Sequence, residues 1–129
     1  MNVVEELKKL GAEVEETKEV LRIRTSPDKL IRIAEVLIEA GYDHLANVEG
    51  IDWPKENVIE VVYHAESFEK DLRNKLIEIR VKVPRDNPKV PTLVNVWPNA
   101  LLMERETWEM LGVIFEGHAD LRHLLLPPE

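Results

Sequence analysis

The 129-residue sequence predicts a small single α+β domain: about four mostly antiparallel strands, helices packed on one face, and an extended C-terminal tail. Three observations predict it. Leu30, Ile33, Ala34, Leu37 and Ile38 recur at helical spacing and form one apolar stripe. Ile77, Ile79, Val81 and Val83 alternate with Glu78, Arg80 and Lys82, which is the period of a strand with one buried face. The elements run helix, strand, helix, three strands, helix, so consecutive strands can pair directly without a helical crossover between each.

Each element has a local cause. Val3, Val4, Leu7 and Leu10 share a helix face, and Gly11 is a suitable stop. Val20 to Thr25 alternates Leu21 and Ile23 against Arg22 and Arg24, a half-buried strand. Ser26 as N-cap, Pro27 at the first helical position and Asp28 in the first turn open the best-marked helix, which Gly41 closes. His44 to Asp52 reads as a strand, Trp53 to Asn57 as a turn, and the β-branched run Val58 to His64 as the next strand. Glu66 to Arg73 is a polar connection. After the strand Ile77 to Val83, the prolines at 88 and 91 break structure ahead of a short extended piece, Thr92 to Val96. Pro98 opens a last helix and Gly112 ends it. The whole chain, residues 1–129, reads as one domain, with residues 113–129 a partner-docking tail.

Composition narrows the function. The net charge of −8 argues against nucleic acid and against anionic membrane, which both need a basic face. With no cysteine, the chain has neither a disulfide nor the usual thiolate ligands of an iron–sulfur cluster. It has no run of about 18 apolar residues to cross a bilayer. The first ten residues carry both charges and no apolar core of a signal peptide. Abundant Glu, Lys and Arg with no Gln is a composition that thermophile proteins favour.

Catalytic chemistry has little to draw on. There is no glycine-rich phosphate loop, no metalloprotease helix motif, no thiol, and only Ser26 and Ser67 as serines. Glu116, His118, Asp120 and His123 have the donor types and spacing for a zinc-like ion. The alternative is that His118 and Asp120 satisfy backbone groups in an irregular loop, with Arg122 paired to a carboxylate. Glu104-Arg105-Glu106 lies mid-helix, either as a solvated face with ion pairs or as a buried or partner-facing cluster. Trp53, Trp97 and Trp108 are core bodies or interface anchors, with Trp97 the strongest interface candidate. Leu121, Leu124, Leu125 and Leu126, ended by Pro127 and Pro128, form an apolar tail that must lie on its own domain or on another protein.

The stretch Glu104 to Pro127 carries a resemblance. Its Glu104-Arg105-Glu106 triplet, Gly112, Gly117-His118 and Asp120-Leu121-Arg122 follow the pattern of the 30 kDa subunit family of NADH:quinone oxidoreductase, complex I. Relatives of that family also serve energy-converting membrane-bound NiFe hydrogenases. The chain departs from it at Ala119, where the family usually has proline, and at His123, where arginine is common. Gly41-Tyr42, Asp52-Trp53-Pro54, Glu60-Val61-Val62-Tyr63-His64, Arg80 to Pro84 and Trp97-Pro98-Asn99 extend the similarity in the family's order from Gly41 to Pro127.

The resemblance implies a non-catalytic structural and assembly subunit of a peripheral electron-transfer arm. It implies no cofactor of its own and two partners: the large (49 kDa or NiFe-type) subunit and the small cluster-bearing subunit. The chain would sit on the cytoplasmic side of the cell membrane, attached only through those partners. The partner-binding residues it implies are Trp97, Glu104, Arg105, Glu106, His118, Asp120, Leu121, Arg122, Leu124 and Leu125. The short N-terminus and early stop tilt the expectation toward a compact hydrogenase-related form. Two rivals stay open: a stand-alone interaction module, and a small metal-dependent enzyme built on His118, Asp120 and His123.

Overall fold

The computed structural model describes residues 2–118. Helix α1 (Val3–Lys9) is capped by the Asn2 side chain, which accepts from Glu5 N–H. Strands β1 (Glu13–Glu16) and β2 (Val20–Thr25) follow as an antiparallel pair. Helix α2 (Pro27–Glu39) comes next, then β3 (His44–Trp53), β4 (Val58–Glu66) and β5 (Leu76–Pro84). The short β6 (Lys89–Pro91), helix α3 (Ala100–Leu111) and β7 (Ile114–Glu116) complete the described chain.

The α+β class holds, with more strands than expected. The main sheet has five, in the order β1-β2-β5-β4-β3, and it is mixed because β2 runs parallel to β5. A second, two-stranded parallel sheet joins β6 and β7. β1 escaped the sequence reading because its residues, Glu13-Val14-Glu15-Glu16, offer a single apolar side chain. It is an edge strand held by the β2 ladder and by Glu15 reaching Arg24 at 3.0 Å. The extended piece expected at 92–96 is a turn, and the strand lies just before it at Lys89–Pro91. α3 begins at Ala100, two residues after Pro98. Ser26 occupies the N-cap position of α2, but its hydroxyl bonds the Asp28 carboxylate and makes no cap bond to the backbone.

The core lies between the helices and one face of the main sheet. Ile77, Ile79 and Val81 of β5, Val61, Tyr63 and Ala65 of β4, and Leu21 and Ile23 of β2 meet Leu30, Ile33, Ala34 and Leu37 of α2 there. α3 covers the β3 side, where Gly50 leaves room for Leu111 and Thr107. A Cβ at Gly50 would collide with the Leu111 side chain. The opposite sheet face presents Arg22, Arg24, Glu60, His64, Glu78, Arg80 and Lys82, and no described helix or strand packs on it.

One carboxylate on that face makes a pH prediction. Burial pushes Glu78 upward, but hydrogen bonds from Arg80, Arg22 and His64 outweigh it and hold its pKa at about 2. The stability it adds is therefore full above the ordinary value of 4.5 and is lost as pH falls toward about 2. Glu78→Gln is expected to cost on the order of 2 kcal/mol at neutral pH, with the gap to the parent closing in acid. Urea unfolding across a pH series checks it; a gap independent of pH would contradict the assignment.

Candidate functional site

The motif-dense segment converges on a buried glutamate. α3 runs across β3 because Ala100, Glu104 and Thr107, at i, i+4 and i+7, share its inner face. Thr107 Oγ1 donates to Met103 O at 3.0 Å, and lies 3.4 Å from Val48 O on the edge strand. Asn99, just ahead of the helix, donates its side-chain amide to Leu45 O at 2.7 Å. These polar groups tie the helix to carbonyls on an edge that β4 does not use.

Glu104 is fully buried. Its Oε2 accepts the Leu93 backbone N–H at 2.8 Å, and its Oε1 accepts the Thr92 hydroxyl. Thr92 Oγ1 in turn accepts Val94 N–H at 3.2 Å. The carboxylate therefore organises the turn between β6 and α3, where only a short 3₁₀-like pattern of backbone bonds supports the chain. Burial raises the Glu104 pKa, countered by the Leu93 N–H, the Thr92 hydroxyl and nearby His118. Burial, with a contribution from the Glu104 charge, also pushes the neighbouring Tyr63 phenol upward.

His118 closes the same cluster from the β7 side. It is buried, and its Nε2 lies 2.7 Å from Leu101 O and 3.9 Å from Glu104 Oε1. A carbonyl can only accept, so Nε2 carries the proton in this bond. Gly117, with φ 87°, turns the chain out of β7 so that His118 can reach the first turn of α3. Trp97 is fully buried beside this region and donates its indole N–H to Tyr42 O at 3.1 Å.

Among the expected partner-binding residues, the structure brings Trp97, Glu104 and His118 together in the interior. Arg105 and Glu106 stay at the surface, with Arg105 Nε 3.2 Å from Glu109 Oε1 one turn on. Asp120, Leu121, Arg122, Leu124 and Leu125, with His123 and Leu126, lie outside the described residues. Of the metal-type cluster, only Glu116 and His118 are described; among the described residues no group of three or more His, Asp or Glu is arranged to hold an ion. The sequence reading missed Thr92 and the Leu93 N–H as partners of Glu104. The signal was present in part: a hydroxyl between prolines needs a local acceptor.

Fold and site together define a small α+β domain whose densest motif is spent on shaping its own chain. The chain belongs to the family described as the 30 kDa subunit of respiratory-chain NADH dehydrogenase, whose profile matches residues 23–129. It is 37% identical to the C subunit of the NADH-quinone oxidoreductase of Moorella thermoacetica over 133 aligned residues, covering 99% of this chain and 86% of that one. It is 34% identical to the C subunit of the F(420)H(2) dehydrogenase of Methanosarcina mazei, over 84% of this chain and 68% of the relative. A trypsin-resistant fragment (1-134) of Nqo5 superposes with a TM-score of 0.78 and 28% identity, covering 92% and 96% of the two chains. A chain of the membrane-bound sulfane sulfur reductase, an archaeal respiratory membrane complex, superposes with a TM-score of 0.80 and 26% identity over 92% of this chain and 71% of that one. The chain is thus a 30 kDa-type component of a complex I-like respiratory oxidoreductase. Among the described residues, no helix is long and apolar enough to cross a membrane.

Proposed function

We propose that this chain is the non-catalytic structural and assembly subunit of the peripheral electron-transfer arm of its complex. It packs against the large quinone-site or NiFe-type subunit, near the small cluster-bearing subunit, on the cytoplasmic side of the membrane. One observation carries the reading. His118, the last described residue, is held against Leu101 O in the first turn of α3, a helix whose outer face is exposed. That face carries Leu102 and Met110, both well exposed, with Arg105, Glu106 and Glu109 between them. Exposed leucine and methionine flanking charged groups is the composition of an interface core with a polar rim.

The relatives support the non-catalytic part. Their names carry different electron donors, NADH and F(420)H(2), while the subunit is shared. A shared subunit under different donors fits a role that does not handle the donor. The buried residues act from within: Glu104, Trp97 and His118 support the surface that Arg105 and Glu106 present.

Deleting Leu121–Glu129 tests the reading. The shortened chain is expected to keep its thermal unfolding transition and to be lost from the purified complex. Arg105→Ala and Arg122→Ala are each expected to leave the isolated chain folded, Arg105→Ala within about 0.5 kcal/mol because its ion pair is surface-exposed, and to weaken co-purification with the large subunit. A deleted chain that still co-purifies at the parent level would overturn it.

A further inference from the structure

The sheet face turned away from the helices is sealed by its own side chains. Val62 of β4 belongs to this face, because its neighbours Val61 and Tyr63 point into the core. It is fully buried, although it is not part of the core cluster. In register it stands between Glu49 of β3 and Arg80 of β5. No described helix or strand packs over it, so side chains of the face itself exclude water from it. Glu60 and Glu78 are buried in the same layer, 4% and 8% exposed.

A continuous polar chain crosses this face through all five strands. It starts at Glu15 of β1, which meets Arg24 at 3.0 Å and Arg22 at 3.6 Å on β2. Arg22 donates Nε to Glu78 of β5. Arg80, on the same strand, donates Nε to Glu78 and Nη1 to Glu60 of β4, each at 2.9 Å. His64 Nε2 lies 3.2 Å from the other oxygen of Glu78, and Trp53 of β3 donates its indole N–H to Glu60 at 3.2 Å. Beside this chain, Lys82 pairs with Glu56 at 3.0 Å. Arg22, Arg24, Arg80 and Lys82 are thus each matched by a carboxylate of the same chain. The exposed Glu13 and Glu49 leave the face without a basic excess.

We propose that this face stays in water when the chain is assembled and forms an outer boundary of its complex. A charged segment of either sign finds the central charges already matched, so no local field draws it in. An apolar segment would strip water from the guanidiniums and glutamates without replacing those hydrogen bonds. Interface cores are depleted of charge and carry large apolar anchors. Among the described residues, Trp53 is the only large apolar side chain exposed on this face, at 39%. It sits at the β3 margin, with its N–H already spent on Glu60. The helical side instead exposes Leu102 at 62% and Met110 at 82%. The inference rests on the chain's being a subunit of an assembly, but not on which helix face docks.

Thiol labelling of the assembled complex tests it. The chain has no cysteine, so Arg24→Cys, Lys82→Cys and Glu49→Cys each place a single thiol on β2, β5 or β3 of this face. A bulky polyethylene-glycol maleimide is the probe, and its addition is read by the mass of this chain. Each thiol is expected to react in the purified complex at the rate it shows in the free chain. Labelling that is about tenfold slower in the complex than in the free chain, at any of the three positions, would overturn the proposal. Glu49 makes no ion pair, so Glu49→Cys keeps the test decisive if loss of a lattice cation impairs folding. Glu106→Cys, on the outer face of α3, is the contrast and is expected to be shielded in the complex. Fast labelling of Glu106→Cys there would count against the α3-side reading and leave the sheet face to its own result.

Discussion

Trp97→Ala is expected to lower the stability of the isolated chain by about 3–5 kcal/mol. The ring is fully buried, and its N–H satisfies Tyr42 O. Truncation leaves a cavity in the core and strips that carbonyl of its buried donor. Against a typical total of about 5–15 kcal/mol, this is enough to leave a large unfolded fraction at elevated temperature. Trp97→Phe keeps most of the volume and should lose less than half as much. Urea unfolding of the three chains is the measurement. A cost below about 1 kcal/mol for alanine would show that the ring contributes little to the core and is free to serve a partner.

Glu104→Ala is expected to cost about 3 kcal/mol, and Glu104→Gln about 1 kcal/mol or less. Alanine leaves the buried Leu93 N–H and the Thr92 hydroxyl without their acceptor. Glutamine keeps an oxygen for the Leu93 N–H and removes the charge that burial disfavours. The pH dependence has a definite sign. Burial raises the Glu104 pKa above its ordinary 4.5. Its contribution is thus full below 4.5 and declines as pH rises through the folded-state value, opposite to Glu78. The parent should therefore compare best with Glu104→Gln in mild acid, and worse toward neutral pH. Equal costs for alanine and glutamine would show that the hydrogen bonds of Glu104 do not hold the 92–97 turn.

Much of the fold was legible because its elements carry local causes. The Leu30–Ile38 stripe, Pro27 at the helix start and the alternation from Ile77 to Val83 each need only neighbours along the chain. The strands without such a cause were not legible. β1 has one apolar residue in four, and β6 and β7 are three residues each. They exist because a partner edge satisfies their backbone groups, and that partner is remote in sequence. The parallel β2–β5 pair was hidden for the same reason, since alternation shows that a strand has two faces but not which neighbour it takes.

The candidate site divides in the same way. By itself the sequence determined where the motif-bearing residues cluster, that the chain is acidic and cysteine-free, and which family it resembles. Only the tertiary structure decided that Glu104, Trp97 and His118 turn inward while Arg105 and Glu106 stay at the surface, and that Glu60 and Glu78 lie buried beneath arginines on an otherwise open sheet. The physical reason is that whether a charge is buried depends on the donors that surround it in space. Leu93 N–H, Thr92, Arg22 and Arg80 reach Glu104, Glu104, Glu78 and Glu60 across separations of 11, 12, 56 and 20 residues, which no local pattern encodes.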